Sequence, residues 1–220
     1  MRRHIFIITS AFTLLLATAC TIDAYDKGEG EYSLLTAEMA DVAVGSDKLT
    51  TAVDTDQGER LQLTKPATMK WMEKGDTTYR ALVYYKVLSD GKAEIVSMSK
   101  VGVARPRQLA TKDGKQEEMK TDPVYVESMW MSKNKKYVNM RLRLLTGSTD
   151  DEKAVQTLGI ISETADSSVE KLVLYHDQGG QPEYYSTTVF VSIPLDKVKA
   201  NELTITVNTY DGRITRTFSK

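Results

Sequence analysis

Between Ala37 and Phe218 the chain returns repeatedly to short runs in which apolar and polar residues alternate, each run closed by glycine, proline or aspartate. Met140, Leu142 and Leu144 alternate with Arg141 and Arg143, while Ile205 and Val207 alternate with Thr204, Thr206 and Asn208. Successive side chains of a strand point to opposite faces, so a period of two means a sheet with one buried face. A helix would space its apolar residues three and four apart. The fold class that follows is all-β.

The runs fall into two groups. Ala37–Val44, Leu49–Val53, Arg60–Leu63, Tyr79–Leu88 and Ala93–Val103 give five predicted strands, enough for a small barrel or rolled sheet whose closure hides its edges. In the fourth, Tyr79, Ala81, Val83 and Tyr85 form one side, and Arg80, Leu82, Tyr84 and Lys86 form a mixed one. Ser89-Asp90-Gly91-Lys92 then predicts a hairpin from Tyr79 to Val103, because Asp-Gly tolerates the positive φ of tight turns. Arg105-Pro106-Arg107 ends the last strand of this group. The polar stretch from Thr111 to Pro123 shows no strand pattern, and a helical turn at Glu117–Lys120 is its one regular prospect. After it come seven runs, Val124–Met131, Tyr137–Leu145, Gln156–Ser162, Val169–Tyr175, Tyr184–Ile193, Leu203–Thr209 and Arg213–Phe218, spaced as in a β-sandwich. The expected division is a first unit over 34–107, a linker over 108–122 and a seven-stranded sandwich over 123–220.

At 220 residues, with 41% hydrophobic and 27% charged, the chain can bury one sizeable core or two small ones. A formal net charge of −1 and a pI near 6.2 leave no global positive field to gather nucleic acid or anionic lipid. One cysteine and two histidines exclude a disulfide framework, a cysteine-rich zinc site and most imidazole-built metal sites. No cofactor is implied.

The single cysteine has another use. Arg2 and Arg3 start a basic n-region, Ile5–Leu16 forms an apolar core too short to span a bilayer, and small residues follow, so 1–19 reads as a secretory signal peptide. Cys20 stands directly after Leu-Leu-Leu-Ala-Thr-Ala, which looks like a bacterial lipobox, although Ala17 stands where a larger aliphatic residue is usual. Acyl chains such as palmitate on Cys20 would hold the chain to a membrane, each buried CH₂ contributing about 0.8 kcal/mol. Removing 1–19 takes away two positive charges and His4, leaving His176 as the sole histidine. From there to residue 33 the sequence is acidic and glycine-bearing, a flexible tether. Asp23, Asp26, Glu29 and Glu31 also resemble a surface-export signal, so both readings stay open.

The lipobox, the five-strand first unit, Asp122-Pro-Val-Tyr-Val-Glu-Ser-Met-Trp-Met through Tyr137-Val-Asn-Met-Arg-Leu, Leu174-Tyr-His-Asp to Val191-Ser-Ile-Pro-Leu, and Thr206-Val-Asn-Thr-Tyr-Asp-Gly together resemble the NigD-like lipoproteins of Bacteroidetes. The resemblance covers nearly the whole chain after the leader. It implies an OB-like five-stranded N-terminal barrel followed by a seven-stranded β-sandwich, in a cell-envelope lipoprotein of the outer membrane. The family takes its name from a bacteriocin gene cluster, and a role in bacteriocin immunity was suggested for it. It supplies no catalytic residues to carry over.

The search for chemistry is mostly negative. A Ser-His-Asp hydrolase would have to use His176, with Ser186 and Asp177 as companions, but no nucleophile-elbow pattern surrounds any serine. A strand-end histidine bonded to the adjoining turn is the alternative. Asp150-Asp151-Glu152 and Asp54 with Asp56 lie in polar loops, where they serve a glycosidase, a Ca²⁺ site or simply the solvated surface. Tyr79, Tyr84, Tyr85 and Lys86 interleave aromatic and basic residues as nucleic-acid binders do, yet an exported, negatively charged domain lacks the electrostatic term that dominates such binding. Nucleic acid is therefore excluded as the expected partner. Trp71, Tyr84, Tyr184, Tyr185 and His176 are the candidate binding residues, with Trp71 in a charged, loop-like stretch and Trp130 assigned to the core.

Two functional readings follow. One is a non-catalytic envelope lipoprotein that binds a protein, a bacteriocin or an envelope partner. The other is a carbohydrate-binding module or glycan hydrolase outside the cell. An unprotected edge strand or exposed apolar patch favours the first, while facing carboxyls or a row of exposed aromatics favours the second.

Overall fold

The computed structural model describes residues 35–163 and 168–220. The leader at 1–19, Cys20 and the tether to 33 lie outside the described residues. Every regular element within them is a strand.

The first five strands are β1 (Thr36–Val44), β2 (Thr50–Thr55), β3 (Arg60–Ala67), β4 (Thr77–Val87) and β5 (Ala93–Lys100). They close into a barrel in the order β1-β2-β3-β5-β4. All pairs are antiparallel except β3 with β5, which meet in parallel at Leu63 and Ala93. Closure works because each strand has one apolar row: Val42, Val53, Ala81 and Val83 are fully buried inside. The hairpin expected at Ser89–Lys92 is present, with Gly91 at φ 77° and Leu88 N–H donating to Lys92 O at 2.8 Å. Trp71 caps this core. Its indole packs edge-on to Tyr79 at 5.5 Å and donates to Met98 O at 3.3 Å, so the loop-like Trp71 belongs to the barrel wall.

The chain then crosses to a second layer in a way periodicity did not reveal. The run expected to continue to Val103 breaks at Val101, whose N–H makes a last 2.9 Å bond to Arg80 O. Beyond it, β6 (Gly102–Val103) and β7 (Pro106–Arg107) leave the barrel as two-residue edge strands. Proline suits such an edge because the N–H it lacks would face no partner. Two further short strands, β8 (Thr111–Lys112) and β9 (Lys115–Gln116), form a small hairpin turned by Asp113 and Gly114, both at positive φ. The helical turn expected at Glu117–Lys120 is absent. The Glu117 carboxylate is drawn instead to Arg107, at 2.6 and 2.7 Å, and accepts the Ala110 N–H.

The remaining strands are β10 (Tyr125–Met131), β11 (Tyr137–Thr146), β12 (Thr157–Ser162), β13 (Val169–Asp177), β14 (Tyr185–Pro194), β15 (Glu202–Thr209) and β16 (Gly212–Ser219). They form the two sheets of a sandwich-like domain, one ordered β10-β11-β14-β6 and the other β16-β15-β13-β12-β7. The seven expected strands are thus joined by two upstream ones, each adding in parallel, β6 to β14 and β7 to β12. Met140, Leu142, Ile160, Leu172, Leu174 and Ile205 fill the space between the sheets. The outward residues of β11 are Asn139, Arg141 and Arg143, opposite Ser192, Phe190 and Thr188 of β14. That outer face receives the barrel.

Candidate functional site

The barrel meets the sandwich through the mixed side of β4. The alternation that buries Ala81 and Val83 inside the barrel turns Arg80, Leu82 and Tyr84 outward, toward β11 and β14. Arg80 is only 4% exposed. Burying a guanidinium is tolerable only when its donors are satisfied and its charge is matched. Here Nη2 donates to Asp56 Oδ2 at 2.6 Å and Asn139 Oδ1 at 3.2 Å, Nη1 to Asp41 Oδ1 at 3.2 Å, and Nε to Ser192 Oγ at 3.0 Å. The group also lies 3.9 Å from the Tyr137 ring centroid. Asn139 Nδ2 returns a 2.7 Å bond to Asp56 Oδ2, and Ser192 Oγ donates to Asn139 Oδ1 at 2.7 Å. Burial, with the Asp41 carboxylate next, pushes the Tyr137 phenol up to about 12. The turn between β10 and β11 adds a second clasp: Asn134 donates from Nδ2 to Thr55 O and from its backbone to Asp56 O, both at 3.0 Å.

Beside this clasp the two layers leave a re-entrant corner with two cavities. The larger, of about 540 Å³, lies among Leu82, Tyr84, Lys100, Val103, Leu158 and Phe190. The smaller, of about 300 Å³, is bounded by Glu38, Asp56 and Leu82 of the barrel and by Trp130, Arg141 and Phe190 of the sandwich. Leu82 and Phe190 wall both, so the cavities adjoin.

One border of the corner is an incompletely covered strand. β14 pairs with β11 along its whole length, but β6 covers it only at Val191 and Ser192. Leu195 N–H donates to Lys136 O on the β11 side, and Ser192 O accepts the Ala104 N–H on the β6 side. Continuing that alternation directs the backbone groups of Ser186 and Thr188 away from β11, to an edge on which no strand pairs among the described residues. β12 is likewise covered by β7 only at Ile160 and Ile161, but it is shorter than β14. The two opposite edges are better guarded: β10 is bulged between Val126 and Ser128, and β16 carries Arg213 and Arg216.

The sequence-derived candidates scatter around this geometry. Tyr84 lines the larger cavity. Tyr184 and Tyr185 stand 80% and 55% exposed at the start of β14. His176 is 1% exposed, with Nδ1 3.0 Å from Asp122 O and Nε2 3.4 Å from Gln156 Oε1, while Asp177 Oδ1 accepts the Gly179 N–H. The imidazole is thus engaged within the sandwich, and Ser186 is not among its partners. Asp54 pairs with Arg60 at 2.9 Å, but Asp56 is 6% exposed and not the solvated loop acid that its polar neighbourhood suggested. Sandwich residues distant in sequence cover it. Trp130, assigned to the core, is half-buried on the outer face instead, because Met129 and Met131 take the inward positions. No group of three or more His, Cys, Asp or Glu able to hold a metal occurs among the described residues.

The corner residues Arg80, Leu82 and Phe190 were not among the candidates, and Asp56 was one only as a loop carboxylate. The signal that pointed toward them was the mixed outer side of β4, which a barrel strand facing only water has no reason to carry.

Comparison with known proteins follows the same architecture. A solved NigD-like immunity protein from Bacteroides caccae is similar at 26% identity and TM-score 0.63, over 82% of this chain and 91% of that one. A toxin-related protein from Parabacteroides distasonis shares the fold at 16% identity and TM-score 0.62, over 84% and 93% of the two chains. A protein described as a lipoprotein, from Bacteroides fragilis, shares it at 12% identity and TM-score 0.55, over 84% and 96%. Among curated proteins nothing matches. The model of the NigD-like C-terminal beta sandwich domain matches residues 108–219, about half of the chain, and the protein belongs to that NigD-like family.

Proposed function

We propose that the protein acts without catalysis, as a cell-envelope lipoprotein held to the outer membrane by acyl chains on Cys20, and that it binds a protein partner at the barrel–sandwich corner. One observation carries the reading: the uncovered edge of β14 runs beside an apolar-walled cavity. Such an edge pairs with an extended segment through backbone hydrogen bonds, and an adjoining pocket selects among segments by side chain. The similar immunity protein and toxin-related protein support a bacteriocin or an envelope protein as that partner. The neighbour described as a lipoprotein supports the anchor, in agreement with the leader and Cys20.

The test is site-specific photo-crosslinking in intact cells from Ser186 on the β14 edge. Arg216 on β16 serves as the control position and Cys20→Ala as the unanchored control. One protein should be trapped from 186, not from 216, and only when the chain is anchored. Thr188→Pro removes an N–H directed to the open side while sparing the β11 ladder, and should abolish capture in a folded protein. Equal capture from both edges, or none, overturns the reading. Glycan binding has one observation in its favour, the adjacent exposed rings of Tyr184 and Tyr185. It gains if glycan is retained in place of protein and Tyr184→Ala releases it.

A further inference from the structure

The smaller cavity carries a chemical preference that the strand edge does not. Asp56 Oδ2 is fully engaged by Arg80 and Asn139, but Asp56 Oδ1 is buried with no hydrogen-bond partner. The same holds for Glu38 Oε2, and both residues line this cavity. A buried carboxylate oxygen without a donor is a costly arrangement that a bound donor relieves. Of the cations nearby, Arg141 is held by Glu127 at 2.6 Å, and Arg80 is shared between Asp41 and Asp56. Acidic charge at the cavity therefore exceeds basic charge. Burial raises the Glu38 carboxyl above its ordinary value against the opposing hydrogen bonds of Tyr85 and Thr55, with Glu59 and Asp56 adding smaller raising contributions. The opposite walls are aromatic: the Phe190 ring already has the Arg141 guanidinium 5.8 Å from its centroid, and the Trp130 ring is the further face that attracts a cation.

We propose that this cavity receives the cationic end of a lysine or arginine side chain carried by the partner. In this arrangement Asp56 Oδ1 and Glu38 Oε2 accept its N–H groups, and Trp130 and Phe190 flank its aliphatic stem. The proposal deepens the protein-binding reading by giving the partner a basic residue, but its test requires no partner, so each can fail alone.

The experiment titrates the intact protein with three blocked amino acids, N-acetyl-lysine methylamide, its arginine counterpart and its norleucine counterpart, while following the Trp130 indole N–H by NMR. The resonance is assigned by its loss in Trp130→Phe, and the Trp71 indole in the barrel wall serves as internal control. The lysine and arginine probes should shift the Trp130 signal and leave Trp71 in place, with norleucine inert. Glu38→Gln keeps the shape and removes a charge, and should weaken binding about tenfold, as loss of a charge-assisted hydrogen bond does. Asp56→Asn is the second variant, read only if its thermal transition shows that the Arg80 cluster has survived. Equal response to norleucine makes the cavity merely apolar, and a response to Ca²⁺ but to neither cationic probe makes it a metal site. Either result, or no response to any probe, overturns the proposal. Capture from Ser186 is unaffected by these outcomes, since it depends on the strand edge alone.

Discussion

Two arginines close ion pairs in this molecule under opposite conditions. Arg80 is sealed between barrel and sandwich, with donors to Asp41, Asp56, Asn139 and Ser192 and the Tyr137 ring against it. Arg107 holds Glu117 with two short bonds, 2.6 and 2.7 Å, yet stands at the surface. Judged by distance alone the second pair looks as good as the first. The difference lies in what happens when a partner is lost: water replaces Arg107 for Glu117, whereas nothing replaces Arg80 for two enclosed carboxylates. Dielectric surroundings, more than bond length, decide which pair holds the architecture.

Substitutions should separate the two. Arg80→Met should have the largest effect, about 3–5 kcal/mol of stability measured by denaturant unfolding, because it strands the Asp41 and Asp56 charges. If the variant loses no more than a surface substitution does, the clasp is not what joins the layers. Asn139→Ala should cost about 1–3 kcal/mol by the same measurement, since Asp56 and Ser192 each lose a buried partner.

Acid titration sharpens the contrast through two glutamates that move in opposite directions. Arg107, followed by the Ala110 N–H, holds Glu117 down to about 2, below its ordinary 4.5. Its contribution is present above 4.5 and fades as pH falls toward 2. Glu38 is raised above 4.5 by burial, so its contribution is full below 4.5 and is lost as pH rises through its folded-state value. Glu38→Gln should therefore raise the melting temperature at pH 7, with the gain vanishing below 4.5. A gain that persists in acid would mean that charge is not its origin. The smallest effect belongs to Arg107→Ala, whose melting temperature should differ little from the parent's, with most of the difference erased by salt.

The sequence made much of the fold legible because a half-buried strand writes its own pattern. Ala81 and Val83 against Arg80 and Leu82 placed β4 and its two faces, and Asp90-Gly91 placed the turn that follows. Pairings of two residues have no room for a pattern, and β6, β7, β8 and β9 went unread for that reason. Met129-Trp130-Met131 is apolar throughout, so alternation could not tell which residue faced out. Asp56 is the clearest limit: its neighbours Asp54, Gln57 and Gly58 suggest solvent, yet Arg80 and, some eighty positions later, Asn134 and Asn139 enclose it. Much of the corner was hidden because it exists only where two distant stretches of chain meet.

The two short crossing strands bear on how relatives of this protein can exchange parts. Residues 102–107 leave the barrel, and β6 and β7 then edge one sandwich sheet each. The matched domain begins at residue 108, immediately after them. A recombination event at that seam would deliver a sandwich whose borders were shaped for another chain. The unit of inheritance that fits is longer than the recognisable domain: a sandwich grafted onto a foreign barrel should bring its own six-residue hem, or leave the β14 edge bare along its whole length.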